Sequence, residues 1–287
     1  MTTSLPERAV RRCHNVINPL HATIYFSPDL QQEMTALGVD NPRAAYFASR
    51  SAAMGAVGAG VVAAAFYNFS PGLVARHVPA VWETASPEAV LAARLRAVDT
   101  TLRRVLGEEA LAAGETAEAA RLALRATEAC APHARPLYAA HADLPVPEEP
   151  HLALWHAATL LREHRGDGHL AVLLRAELDP LEALVTHSAT GKGMSRKWIL
   201  ATRGWSEEEL DAARGRLCER GLLGPDGELT EAGTALRREL EEETDRLDRA
   251  PYEHLGAEGV GRLMELAGAL LTRAQEAGAF PRDLISR

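Results

Sequence analysis

A chain of 287 residues can bury a core as one large or two modest units, and 47% hydrophobic content with only 5% aromatic points to an Ala/Leu/Val interior of packed helices. Its net charge of −8 argues against nonspecific binding of DNA or of an anionic membrane by the chain as a whole. Three cysteines (Cys13, Cys130, Cys218) stand far apart with no CxxC pair, which excludes a zinc knuckle and fits reduced cytosolic thiols.

Residues 1–10 are expected to fray. Arg8, Arg11 and Arg12 are not followed by the apolar run of an export signal, so a cytoplasmic protein is expected. A helix over 11–18 meets Pro19, and His14 and His21 share a face only if that proline is tolerated as a kink. Pro28 and Asp29 open a helix to Leu37, closed by Gly38. The next begins near Pro42 and carries Tyr46 and Arg50 at i and i+4, pointing the same way. The apolar run 52–66 is too short to span a bilayer. Its Gly55, Gly58 and Gly60 would let another helix or a flat ligand approach the backbone. Phe66-Tyr67-Asn68-Phe69 is an aromatic turn that plugs a core end or walls a pocket. Ser86-Pro87-Glu88 opens a helix to Leu106, and another runs from Thr116 to about Cys130. The stretch 142–150, with three prolines, reads as a stiff linker and sets a domain boundary.

The densest chemistry lies at 155–171, WHAATLLREHRGDGHLA. Pro150 suits a helix start, and Leu152, Trp155, Thr159, Leu160 and Glu163 recur at helical spacing. Gly166-Asp167-Gly168 is expected to end that helix, with Asp167 capping a second one over 169–177. His169 would then sit in a first turn, where the positive dipole end favours a neutral imidazole fit for a general base or a metal ligand. The bland alternative makes Arg162, Glu163 and Arg165 surface charges, Asp167 a simple cap and His156 a satisfied core histidine. Charged groups this close to buried neighbours must pair to be tolerated.

The second half predicts helices at 180–190 and 195–203. A third is capped by Ser206, with Glu207, Glu208 and Glu209 in its first turn and Leu210, Ala213 and Leu217 inward. Then come Gly221-Leu222-Leu223, a tight turn at 224–227, Leu229-Thr230 and a long helix over 231–247. Order and spacing over 181–247 resemble the winged helix of MarR-type regulators. The chain as a whole resembles a broad group of actinobacterial helix-turn-helix family proteins. The pieces that carry this likeness are Pro19-Leu20-His21, Tyr25-Phe26, Tyr46-Phe47-Ala48-Ser49-Arg50, Phe66-Tyr67-Asn68-Phe69, LREHRGDGH, Arg203-Gly204-Trp205 and Thr244-Asp245-Arg246-Leu247. This resemblance implies the fold and brings no reaction, substrate or site residues with it.

The expected fold is therefore mainly α. A helical domain (1–141) and linker (142–150) precede a winged-helix-like domain with a small β wing (151–250) and a C-terminal helical tail (251–287). Leu255, Leu263, Leu266 and Leu270 on the tail either form a homodimer face or pack on their own chain. From 206 to 249 the charge is 7 Arg minus 14 Asp/Glu, or −7, and the helix placed to read DNA begins with three glutamates. Phosphate repulsion would oppose binding there. The basic run 192–203, with four positive charges and no acid, sits one helix too early.

The preferred reading is a small organic ligand, or haem, held by Arg162, His164, Arg165, Asp167 and His169, with Tyr46 and Arg50 on the opposite wall. Haem would use an apolar slot beside the glycine-rich run. A metal could bind His164, Asp167 and His169. The enzyme alternative makes His169, with His164 and Asp167, an acid–base site steadied by arginine. The regulator alternative keeps DNA binding and needs a homodimer. No P-loop, GxSxG, HExxH or GxGxxG motif supports another chemistry.

Overall fold

The computed structural model describes residues 5, 6 and 8–281; the fraying expected over 1–10 lies in part outside them. Pro19 does not stop the first helix. α1 (Ala9–Ala22) runs through it, because burial of Cys13, Ile17, Leu20 and His21 on one face outweighs the single hydrogen bond a proline forgoes. Ser27 and Asn41 accept from first-turn amides of α2 (Pro28–Ala36) and α3 (Pro42–Ser51), each with proline in its first turn. The glycine-rich run is not one helix. A 3-10 turn (Ala52–Met54) ends at Gly55, where φ is 79°, and α4 (Ala59–Phe66) starts beyond Gly58. A Cβ on Gly55, Gly58 or Gly60 would meet nothing within 4 Å, so the close approach expected at these glycines is not made. Short helices α5 (Pro71–Ala75) and α6 (Val81–Thr84) lead to α7 (Pro87–Leu106), capped by Ser86. α8 (Glu108–Ala112), α9 (Gly114–Thr127) and α10 (Pro136–Ala142) follow.

The largest departure from the sequence reading is α11 (Pro150–Arg175), 26 residues without a break. Gly166-Asp167-Gly168 forms no hairpin. Two helical glycines cost about 2 kcal/mol relative to alanine. Burial of Leu152, Trp155, Leu161, Val172 and Leu173, each worth about 1.5–3 kcal/mol, exceeds that. Asp167 does act as a cap, but sideways. Its carboxylate accepts the backbone N–H groups of Leu137 and Tyr138 at 3.0 and 2.9 Å, at the start of α10.

The remaining helices follow the sequence reading closely. α12 (Pro180–Ser188) and α14 (Glu207–Glu219) each open on a capping box, Asp179 with Glu182 and Ser206 with Glu209. α13 (Arg196–Thr202) lies between them, and α15 (Glu231–Leu247) and α16 (Arg249–Glu276, kinked at Gly256) end the chain. The expected β wing is reduced to one antiparallel bridge between Leu223 and Leu229, because α15 begins two residues beyond Leu229 and leaves no length for strands. Among the described residues there are sixteen α-helices and no strand, so the fold is mainly α.

Apolar side chains gather into two clusters. The first spans Ala9 to Leu161 and is closed by Tyr252 to Ala274 of α16. The second spans Val172 to Leu240. The stretch 142–150 thus joins elements of one cluster, and the passage between clusters occurs inside α11. Leu255, Leu263, Leu266 and Leu270 are buried in the first cluster, covered by their own chain. A strap at 203–205 fastens α13 to the aromatic turn: Ser70 donates to the Arg203 carbonyl at 2.9 Å and the Trp205 indole to the Asn68 carbonyl at 3.0 Å. Among the described residues no single helix is long and apolar enough to cross a membrane.

Candidate functional site

Because α11 is continuous, Arg162, Arg165, Gly166 and His169 stand at i, i+3, i+4 and i+7 and share a face. That face borders a cavity of about 890 Å³ lined from both clusters. α1 contributes Arg11 and His14, α3 contributes Tyr46 and Arg50, and the aromatic turn contributes Phe66, Asn68 and Phe69. His187, Lys192 and Arg203 enter from α12 and the segments flanking α13; Arg237, Arg238, Glu241 and Thr244 enter from α15. Tyr46, Arg50, Arg162, Arg165 and His169 therefore border one cavity; Asp167 also lines it, but its carboxylate is bonded to the start of α10. His164 does not line the cavity. It lies about 140° around the helix from His169, buried, with its Nδ1 2.7 Å from Asp248 Oδ1 and its ring edge-on to Tyr138.

The lining holds eight cationic side chains against three carboxylates, Glu163, Asp167 and Glu241. Each carboxylate is already engaged. Glu163 bonds Arg162 and Arg50, the latter at 3.4 Å, and these guanidiniums overcome burial to hold it down to about 2. Glu241 reaches Arg165 and Arg237 at 3.4 and 3.3 Å. Asp167 is pushed up to about 6 by burial, against the pull of its two backbone donors. Tyr46 is held below its ordinary value: burial would raise it, but the guanidiniums of Arg50, Arg203 and Arg162 prevail.

Arg50 and Arg203 are held by their flat faces. The Arg50 guanidinium lies 4.2 Å from the Phe66 ring centroid and that of Arg203 4.4 Å from Phe69, both cation–π distances. Arg203 is pushed down first by burial and then by Arg50. These stacked cations occupy the wall where an apolar haem slot was expected, and Tyr67 turns away to the Leu178 carbonyl at 2.5 Å. Among the described residues no group of three His, Cys, Asp or Glu side chains is placed to hold a metal ion.

His169 faces Thr244, its Nδ1 2.8 Å from the hydroxyl oxygen. That hydroxyl donates its one proton to the Leu240 carbonyl at 2.6 Å, so it must accept from His169. Neutral His169 thus carries its proton on Nδ1 and leaves Nε2 as an acceptor. Burial first, then Arg237 and Arg165, lower it to about 4 against the opposing Glu241. The neutral form is therefore favoured. The cause is burial, since no helix begins there.

Sequence reasoning missed Arg203, Arg237, Lys192, His187 and Glu241. The acid-free basic run 192–203 was the available signal, for its two ends, Lys192 and Arg203, both border the cavity.

The class these features define is a mainly helical protein with an arginine-lined cavity between two apolar clusters. The chain belongs to the helix-turn-helix family, whose model matches residues 10–281. No curated protein and no solved structure matches it.

Proposed function

We propose that the protein binds a small anionic molecule in the cavity between the two apolar clusters. Six of the eight cations have carboxylate partners in or behind the wall, and the two that have none among the described residues, Arg203 and Lys192, carry this reading, because unopposed charge gathers beside other cations only if something opposite offsets the repulsion. The volume suits a ligand of metabolite size. Arg162, Arg165, Tyr46 and Arg50 serve as ligand contacts, with His169 Nε2 as acceptor. A histidine lowered to about 4 is a weak base at neutral pH, which favours binding over acid–base catalysis. Native mass spectrometry of freshly purified protein, with thermal shift across anionic and neutral compounds, tests the reading. A retained organic mass, or stabilisation by anions above neutral analogues, is expected. Apo protein stabilised by no compound, or equally by neutral ones, would sink it.

The helix-turn-helix family makes DNA the second partner to weigh. In a MarR-like layout α14 is the recognition helix, and the Leu223–Leu229 bridge is a residual wing. The outward face of α14 carries exposed Glu207, Glu208 and Asp211, and Arg196 of α13 is already paired with Glu207 and, at 3.1 Å, with Asp211. That cation is thus spent within the motif, and DNA reading is not expected. Affinity for the protein's own upstream DNA should be no tighter than about 10⁻⁵ M at physiological salt. Tight binding that weakens steeply with salt would restore the regulator reading.

A further inference from the structure

Four cavity arginines keep a buried Nε–H without a hydrogen-bond partner: Arg11 of α1, whose Nε lies 3.5 Å from Glu241, Arg50 of α3, Arg203 after α13 and Arg237 of α15. Arg50 and Arg237 are only 8% and 6% exposed, so water does not freely supply the missing acceptors. Arg203 meets the Thr202 hydroxyl and Met194 sulfur, both at 3.1 Å, and no carboxylate pairs with it or with Lys192 among the described residues. A single monocarboxylate could not balance both Arg203 and Lys192, the two lining cations without a carboxylate partner among the described residues. A stacked guanidinium has its faces fixed, so an anion must meet it edge-on, in competition with the hydroxyl and sulfur that Arg203 now touches; the planar fork grips tetrahedral oxyanions by two parallel bonds.

Resting on the anion-binding reading above, we infer that the ligand is a phosphorylated small molecule with at least two negative charges. Its phosphoryl group lies between Arg50 and Arg203, and its second anionic group reaches Arg237 and Lys192. The phosphoryl oxygens meet the guanidinium groups that border the cavity and offset the charge of Arg203 and Lys192, which no carboxylate balances among the described residues. Tyr46, 3.5 Å from Arg50, borders the same subsite and adds a hydroxyl.

Isothermal titration of the full chain with pyrophosphate, inorganic phosphate, succinate and benzoate tests this class. Pyrophosphate should bind at least tenfold tighter than the other three, with affinity falling as salt rises. Arg203→Gln and Arg237→Gln should each weaken it at least tenfold, and Arg203→Lys, which keeps charge but loses the fork, should give an intermediate loss. Arg262→Gln, away from the cavity, should change nothing. Circular dichroism of each variant confirms that it folds, and the wild-type ranking of the four anions stands as a test even if a variant does not. Succinate or benzoate matching pyrophosphate would overturn the phosphoryl assignment while leaving an anion cavity. Pyrophosphate affinity untouched by either glutamine variant would overturn it too. Binding of none of the four would reject this class, and the retained mass from the native spectrum would then decide the broader reading separately.

Discussion

The two faces of α11 carry the same kinds of residue and treat them differently. On the face toward α10 and α16, His164 meets Asp248, Asp167 meets two backbone donors, and Arg135 fills the space beside Gly168 with its Nε on the His164 carbonyl at 3.0 Å. On the other face, Arg162 meets Glu163, Arg165 meets Glu241 and Asp245, and His169 meets Thr244, but all three border open space. Access is what separates them. A paired group sealed from the cavity belongs to the fold, whereas one that borders open space is within reach of a ligand.

Breaking the sealed face should be the most damaging change. His164→Ala or Asp248→Ala leaves a buried partner alone and should cost about 3–5 kcal/mol in chemical denaturation. A loss below about 1 kcal/mol would show the two faces to be equivalent. Acid should act next. His141 and His156 are lowered to about 4, first by burial and then by Arg94. Their folded values lie below the unfolded 6.5, so the stability they give is whole above that pH and is lost as pH falls through about 4. Asp167, raised to about 6, runs the other way and gains as pH drops through that value. With the two histidines each contributing about 1.4 kcal/mol per pH unit, melting temperature should fall between pH 6.5 and 4; a flat profile would contradict the burial described.

A smaller loss is expected from Gly204→Ala. Its φ is +76° and a Cβ would stand 2.5 Å from that of Leu73, so about 1–3 kcal/mol should disappear from thermal unfolding. The mildest change, Gly168→Ala, should help. A Cβ there sits at ordinary contact distance, 3.5 Å from Arg135 and 3.8 Å from Leu247, and a helical alanine gains up to about 1 kcal/mol over glycine. Destabilisation instead would revive the turn that the sequence suggested.

What was legible in the sequence was what is decided locally. Ser86 and Ser206 announced their helices because capping involves neighbours three residues away, and the order of α12 to α15 followed from period and turn chemistry. Gly166-Asp167-Gly168 misled because two glycines are a local cost, whereas the burial that overrides it comes from helices distant in sequence. That one error also misplaced His164: in a hairpin it could face His169, but in a straight helix it cannot. Arg203 and Arg237 could not be joined to Arg50 from spacing alone, since their meeting depends on how the second cluster sits against the first.

The strap at 203–205 has a mechanical meaning. Arg203 stands in the cavity wall, and Ser206, three residues on, caps α14. No compliant linker separates them: Gly204 is wedged against Leu73, and Trp205 is tethered to Asn68, itself a cavity residue. The start of α14 is thus tied to the cavity wall, and a displacement of Arg203 is expected to reach the outward acidic face of α14 with little slack to absorb it.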